Sequence, residues 1–192
     1  MKFTKIPENT FQHLQLNAGV LLRNFDPASA EVDKSDIIGA TSGGVSFSAV
    51  PTYSDLGDDI DNCPKNMLEL KNLDSWVITL GGSFVTVDSE AAKLLIAAAD
   101  VSENKITPRN DITEADFGDI WWVGDYSDKN GDKNGGYITI NMMNALSTGG
   151  FSLQTRDRAK GTFAFSFTAH YCMTEQEKVP FEVFIKAGTE EA

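Results

Sequence analysis

The stretch "GTFAFSFTAHYC", residues 161–172, constrains the fold most. In an extended chain successive side chains point to opposite faces. Phe163, Phe165, Phe167 and Tyr171 then share one side, and Thr162, Ala164, Ser166, Thr168 and His170 the other. A helix would scatter the same residues around its circumference and leave no apolar face. The stretch therefore reads as a strand with an aromatic inner face and a face of small polar groups. The same period recurs in "VSFSAV" (45–50), with Val45, Phe47 and Ala49 against Ser46, Ser48 and Val50. It recurs again in "SWVITLGGSFVTV" (75–87), with Trp76, Ile78, Leu80 and Phe84 against Thr79 and Ser83. Further strands are expected at 13–22, 120–125, 137–142, 151–156 and 181–186.

One helix is expected. Asp88 or Ser89 can cap it, Glu90 suits its first turn, and Ala91, Leu94, Leu95 and Ala98 of "EAAKLLIAAA" recur at helical spacing. Shorter helical turns are expected near 67–72, 113–117 and 142–147. The pattern predicts a mainly β fold: a β-sandwich or partial barrel flanked by one α-helix, forming one domain over 1–192. The connection between two of its strands, 51–74, is long, and such loops are usually functional or disordered. It carries Tyr53, Leu56, Ile60, Met67, Leu68 and Leu70, too many apolar groups for a disordered linker, so it is expected to dock on something.

Composition narrows the partners. A formal charge of −12 argues against gripping DNA or an anionic membrane over the whole surface. The longest apolar run, "LLIAAA" at 94–99, is too short to span a bilayer, and no apolar run of signal-peptide length follows the amino terminus. Cys63 and Cys172 are too few and too far apart to argue a disulfide framework. A soluble protein folded in a reducing cytoplasm is expected.

Signatures of catalysis are thin, and no enzyme activity and no cofactor are expected. His13 and His170 lie far apart and belong to no metalloprotease motif. "ATSGG" (40–44) approaches a nucleophile elbow, but Ala40 stands where Gly belongs and a strand follows Ser42 where a helix is needed. Trp121 and Trp122 are adjacent and should point to opposite faces of a strand, one to the core and one to an interface or a sugar. "DYSDKNGDKNGGY" (125–137) resembles a calcium loop, with Asp128, Asn130, Asp132 and Asn134 as candidate ligands. Calcium needs six to eight oxygens and an EF-hand ends on a bidentate Glu. Counted from Asn130, position 12 is Asn141; counted from Asp128, it is Thr139 and Lys133 occupies the Gly position. Asn, Gly and Asp are also what a hairpin reversal uses, so the stretch reads as a hairpin tip and no metal is expected.

Four segments taken together resemble the major tail tube protein of long-tailed, non-contractile bacteriophages. They are "FQHLQLNAGVLLRNFDP" (11–27), "GATSGGVSFSAVPTYSDLGDDIDNCPKN" (39–66), "DFGDIWWVGDYSD" (116–128) and "NALSTGGFSLQTRDRAKGTFAFSFTAHYC" (144–172). The resemblance implies six copies closing into a ring, each lending strands to a shared inner β-barrel, and rings stacking into a tube that conducts DNA into the host. It implies a single tail tube domain with an amino-terminal arm (1–12), an inter-ring loop (51–74) and a carboxy-terminal strand and tail (181–192). Implied partners are further copies of itself, tape-measure, tail terminator and distal tail proteins, and double-stranded DNA passing without specific binding; no membrane is involved. The implied location is the virion tail, assembled in the bacterial cytoplasm.

On this resemblance, Tyr53, Leu56, Asp58, Asp59, Ile60 and Met67 are expected at the inter-ring contact. Thr79, Ser83, Thr162, Ser166 and Thr168 are expected to face the lumen. Four strands from each of six copies, about 24 at ~4.8 Å, give a bore of about 40 Å. Acidic groups lining that bore would repel DNA and keep it sliding. Two other readings compete: a secreted β-sandwich binding module for carbohydrate or calcium, and a tube protein of a contractile tail or secretion machine.

Overall fold

The computed structural model describes residues 5–127 and 135–189. In chain order the strands are β1 (Gln15–Leu22), β2 (Thr41–Asp55), β3 (Lys71–Phe84), β4 (Ala99–Ser102), β5 (Lys105–Pro108), β6 (Gly118–Tyr126), β7 (Gly136–Ser147), β8 (Ser152–Gln154), β9 (Thr162–Thr168) and β10 (Phe181–Lys186). One α-helix, α1 (Ser89–Ile96), lies between β3 and β4 among the described residues. The protein is mainly β, as the alternation predicts. No helix among the described residues is long and apolar enough to cross a membrane.

Two antiparallel layers face each other. One runs β1-β6-β7-β10 and the other β2-β3-β9-β8. They join at one corner, where the last residues of β7 leave the first layer and pair with β9, Leu146 opposite Thr168 and Ser147 opposite Phe167. The result is a sandwich opened on one side, a partial barrel. Its core takes the inward residues of both layers: Leu21, Ile120 and Met142 from the first, and Ile78, Leu80, Phe84, Phe165 and Phe167 from the second. Phe181 of β10 bridges the layers, packing on Phe47 at 5.8 Å and on Trp76 at 5.7 Å between ring centroids. β4 and β5 form a separate small hairpin that the alternation did not reveal.

The helix starts where expected. The Asp88 carboxylate accepts a hydrogen bond from the Ala91 amide at 2.7 Å, which satisfies one of the donors left free in the first turn. Ala91, Ala92 and Leu95 are buried, so the small face of α1 lies in the core. The helix ends sooner than "EAAKLLIAAA" suggests, because Ala97 turns to φ 68° and Ala99 already belongs to β4.

Two further expectations are corrected. The segment 142–147 is not helical; it is the second half of β7. Its helical look came from Met142, Met143, Ala145 and Leu146, good helix formers that pairing with β6 and β9 overrides. Nor is 51–74 a loop throughout. β2 continues to Asp55 and β3 begins at Lys71, so the two form a long hairpin with a connection of only 56–70. Pro51 sits inside β2 opposite Trp76, and β2 lies at the edge of its layer, where a missing amide donor is tolerated.

Candidate functional site

The outer face of the second layer is built from the polar halves of the alternating strands. Residues opposite one another on paired strands share a face. Ser46 lies opposite Gly81, Ser48 opposite Thr79, Val50 opposite Val77 and Thr52 opposite Ser75. On the other side of β3, Thr79 faces Thr168, Gly81 faces Ser166 and Ser83 faces Ala164, while β8 adds Ser152 beside Ala164 and Gln154 beside Thr162. Thr79, Ser83, Thr162, Ser166 and Thr168 are thus brought together on one surface.

None of the residues paving this surface is charged, although the chain carries −12. Their hydroxyls bond laterally, Thr52 to Ser75 at 2.7 Å and Thr148 to Thr168 at 3.1 Å. The acidic lining anticipated for a bore does not lie on this face. Its edge strand β2, fifteen residues long, pairs by hydrogen bonds with no strand but β3 among the described residues.

The β2–β3 hairpin runs past the sandwich as an arm. Its tip exposes Tyr53, Leu56, Ile60, Leu68 and Leu73, with Leu68 85% exposed, and carries Asp58, Asp59 and Asp61 beside them. The tip is nevertheless ordered by its own chemistry. The Asp55 carboxylate accepts from the Gly57 amide at 3.0 Å and the Asn66 amide at 2.8 Å, with Lys71 Nζ 3.9 Å away. Those two amides, Asn66 first, hold the Asp55 carboxyl below the usual carboxylate range, with Lys71 adding to them. A Cβ at Gly57 would meet Leu70 Cδ1 at 2.8 Å, so a side chain there would have to push the end of Leu70 aside.

All six residues expected at an inter-ring contact therefore lie on or at the base of the arm. Leu68, named among the docking groups of 51–74 but not among the six, is the most exposed of them, while sequence reasoning missed Leu73 and Asp55, which shapes the tip. An Asp two residues before a Gly is an Asx-turn signal that could have found Asp55.

The other candidates fall elsewhere. Asp128, Asn130, Asp132 and Asn134 lie outside the described residues. The strands flanking them pair as a hairpin, with Tyr126 opposite Gly136. Ser42 lies within the first residues of β2, where Gly43 and Gly44 take positive φ and shift the register against β3. It is on no strand-to-helix turn.

His170 is bonded through Nδ1 to the Asn144 carbonyl at 3.2 Å and packs edge-on to Phe117. Trp122 packs toward the core and donates to the Ala18 carbonyl at 3.0 Å. Trp121 points the other way but is stacked on Phe184 and packed on Phe25, so it is not an open platform. Both cysteines are free thiols. Among the described residues no three of His, Cys, Asp and Glu gather as a metal would need. No protein-family model matches the chain, and no curated protein matches it.

Proposed function

We propose that this chain is a structural subunit that closes into rings and stacks into a hollow tube, as major tail tube proteins of long-tailed, non-contractile phages do. The carrying observation is the uncharged outer face of the β2-β3-β9-β8 layer, bounded on one side by a long free edge strand. A free edge of that length invites pairing with another chain. A ring in which β2 of one copy pairs beside β8 of the next satisfies every such edge by closure. With four strands from each of six copies, about 24 in all, the bore measures about 40 Å.

A wall of short hydroxyl and aliphatic side chains suits DNA passage. It offers no cation to release counterions and hold phosphates, and no aromatic face on which bases stack. DNA slides because the wall is indifferent to it. Carboxylates along the wall are not required. The projecting arm meets the neighbouring ring. On this reading the chain is no enzyme and needs no cofactor. Its other partners are the proteins that measure, terminate and tip such a tail, and it resides in the virion tail after assembly in the bacterial cytoplasm.

Negative-stain microscopy of the purified chain over a wide concentration range tests the reading. Rings or tubes with a bore of about 40 Å are expected. A chain that stays monomeric by sedimentation up to millimolar concentration, at every salt concentration, overturns it.

A further inference from the structure

The two ends of the β2-β3-β9-β8 layer carry opposite charge. β3 begins beside the arm tip at Lys71 and ends at Phe84, and Phe84 is paired with Phe163 at the start of β9. The loop entering β9, 155–161, is therefore at the far end of the layer from the tip. Fourteen residues of extended β3 separate the two ends by roughly 45 Å. The tip, 56–70, holds Asp58, Asp59, Asp61 and Glu69 against Lys65 alone. The far loop holds Arg156, Arg158 and Lys160 against Asp157 alone, in a chain that is otherwise acidic.

Each end also bears exposed apolar groups. At the tip these are Leu56, Ile60 and Leu68; beside the far loop they are Phe151, 46% exposed, and Leu153, 51% exposed. Phe151 packs on Phe163, and Leu153 pairs opposite it, so both are held on the end of the sheet itself. Among the described residues the ion pair within the loop, Arg158 to Asp157 at 3.8 Å, joins two highly exposed side chains and leaves the loop's positive charge available.

We infer that the acidic, apolar arm tip of one copy docks on the basic β8–β9 loop of a second copy, with Phe151 and Leu153 receiving its apolar residues. The contact is head-to-tail: the two surfaces differ, and each copy keeps one of each free. Repeated along one direction it stacks copies without limit. Between two copies placed head to head it sets like charge against like. It therefore gives the stack a polarity as well as a spacing. The inference rests on the tube reading and names the partner surface that the arm meets there.

Charge reversal with rescue tests it. Asp58→Lys with Asp59→Lys reverses the tip, and Arg156→Glu with Arg158→Glu reverses the loop. All four side chains lie in the exposed loops, so each double variant should melt like the parent. Each is expected to raise the protein concentration needed for tube formation about tenfold or more at low salt, with the difference shrinking above about 0.5 M salt. The chain carrying all four substitutions is expected to assemble like the parent again.

Tubes that form equally well from both double variants overturn the inference and leave the tube reading standing. So does a four-fold variant no better than the doubles, because the two ends then meet other surfaces. Single rings from the doubles, with tubes from the parent, support it further. A parent chain that never forms rings or tubes removes both readings.

Discussion

Arg109 gathers three carboxylates. Its guanidinium lies 3.0 Å from Asp100, 3.6 Å from Asp111 and 2.6 Å from Asp116, tying the β4–β5 hairpin to the turn before β6. Asp116 is the buried member. It accepts from the Thr113 amide at 2.8 Å and the Thr113 hydroxyl at 3.0 Å as well as from Arg109. The Thr113 amide, followed by Arg109, holds its carboxyl below the usual carboxylate range. A carboxylate lowered in the native state adds stability that is fully present above its unfolded pKa and is lost as pH falls through the native one. Asp116→Asn should therefore lower the melting temperature by a few degrees at pH 7. The gap from the parent should narrow as pH drops below the usual carboxylate range and close under strongly acidic conditions. A melting series across pH reads this directly, and a gap that stays constant with pH would contradict the assignment.

At the scale of elements the β2–β3 hairpin is divided in function. Its base contributes Ile78, Leu80 and Phe84 to the core, while its tip exposes Leu56, Ile60 and Leu68 to solvent. Apolar side chains that are already exposed contribute little to folding, so their role lies in what covers them. Ile60→Ser with Leu68→Ser is expected to leave the denaturation midpoint within about 0.5 kcal/mol of the parent. The same variant should form rings but fewer and shorter tubes. A midpoint shift of several kcal/mol would instead show that the tip supports the fold.

The whole molecule presents a face without charge on a chain of −12. The acidic groups are therefore placed elsewhere, on the arm, in loops and on the other layer. Ala164 is exposed on the neutral face, opposite Ser83 and Ser152. Ala164→Lys should fold normally and repeat a cation around every ring. Tubes of this variant are expected to retain double-stranded DNA at low salt and release it steeply as salt rises, whereas parent tubes retain none. Filter binding of DNA across a salt series measures it, and equal retention by both would mean that this face does not meet DNA.

Much of this was legible in the sequence because it is local. Period-two alternation follows from strand geometry, so Phe163, Phe165 and Phe167 inside and Thr162, Ser166 and Thr168 outside could be assigned without knowing any neighbour. The Asp88 cap is local for the same reason. Where strands stop is not local. β2 crosses Pro51 to Asp55 because β3 continues to pair with it, and 142–147 is a strand because β6 and β9 hold it. Propensity cannot register a partner that is distant along the chain.

The sequence by itself determined a β fold with one helix, which side of the strands at 45–50, 75–87 and 161–168 faces inward, and an apolar, acidic segment within 51–74. Only the tertiary structure decided that the polar faces of four strands join into one neutral surface, and that 56–61 and 155–160 sit at its opposite ends. Both are consequences of strand order and antiparallel register. Those depend on pairings between residues as far apart as Phe84 and Phe163, whose proximity exists only once the chain has folded.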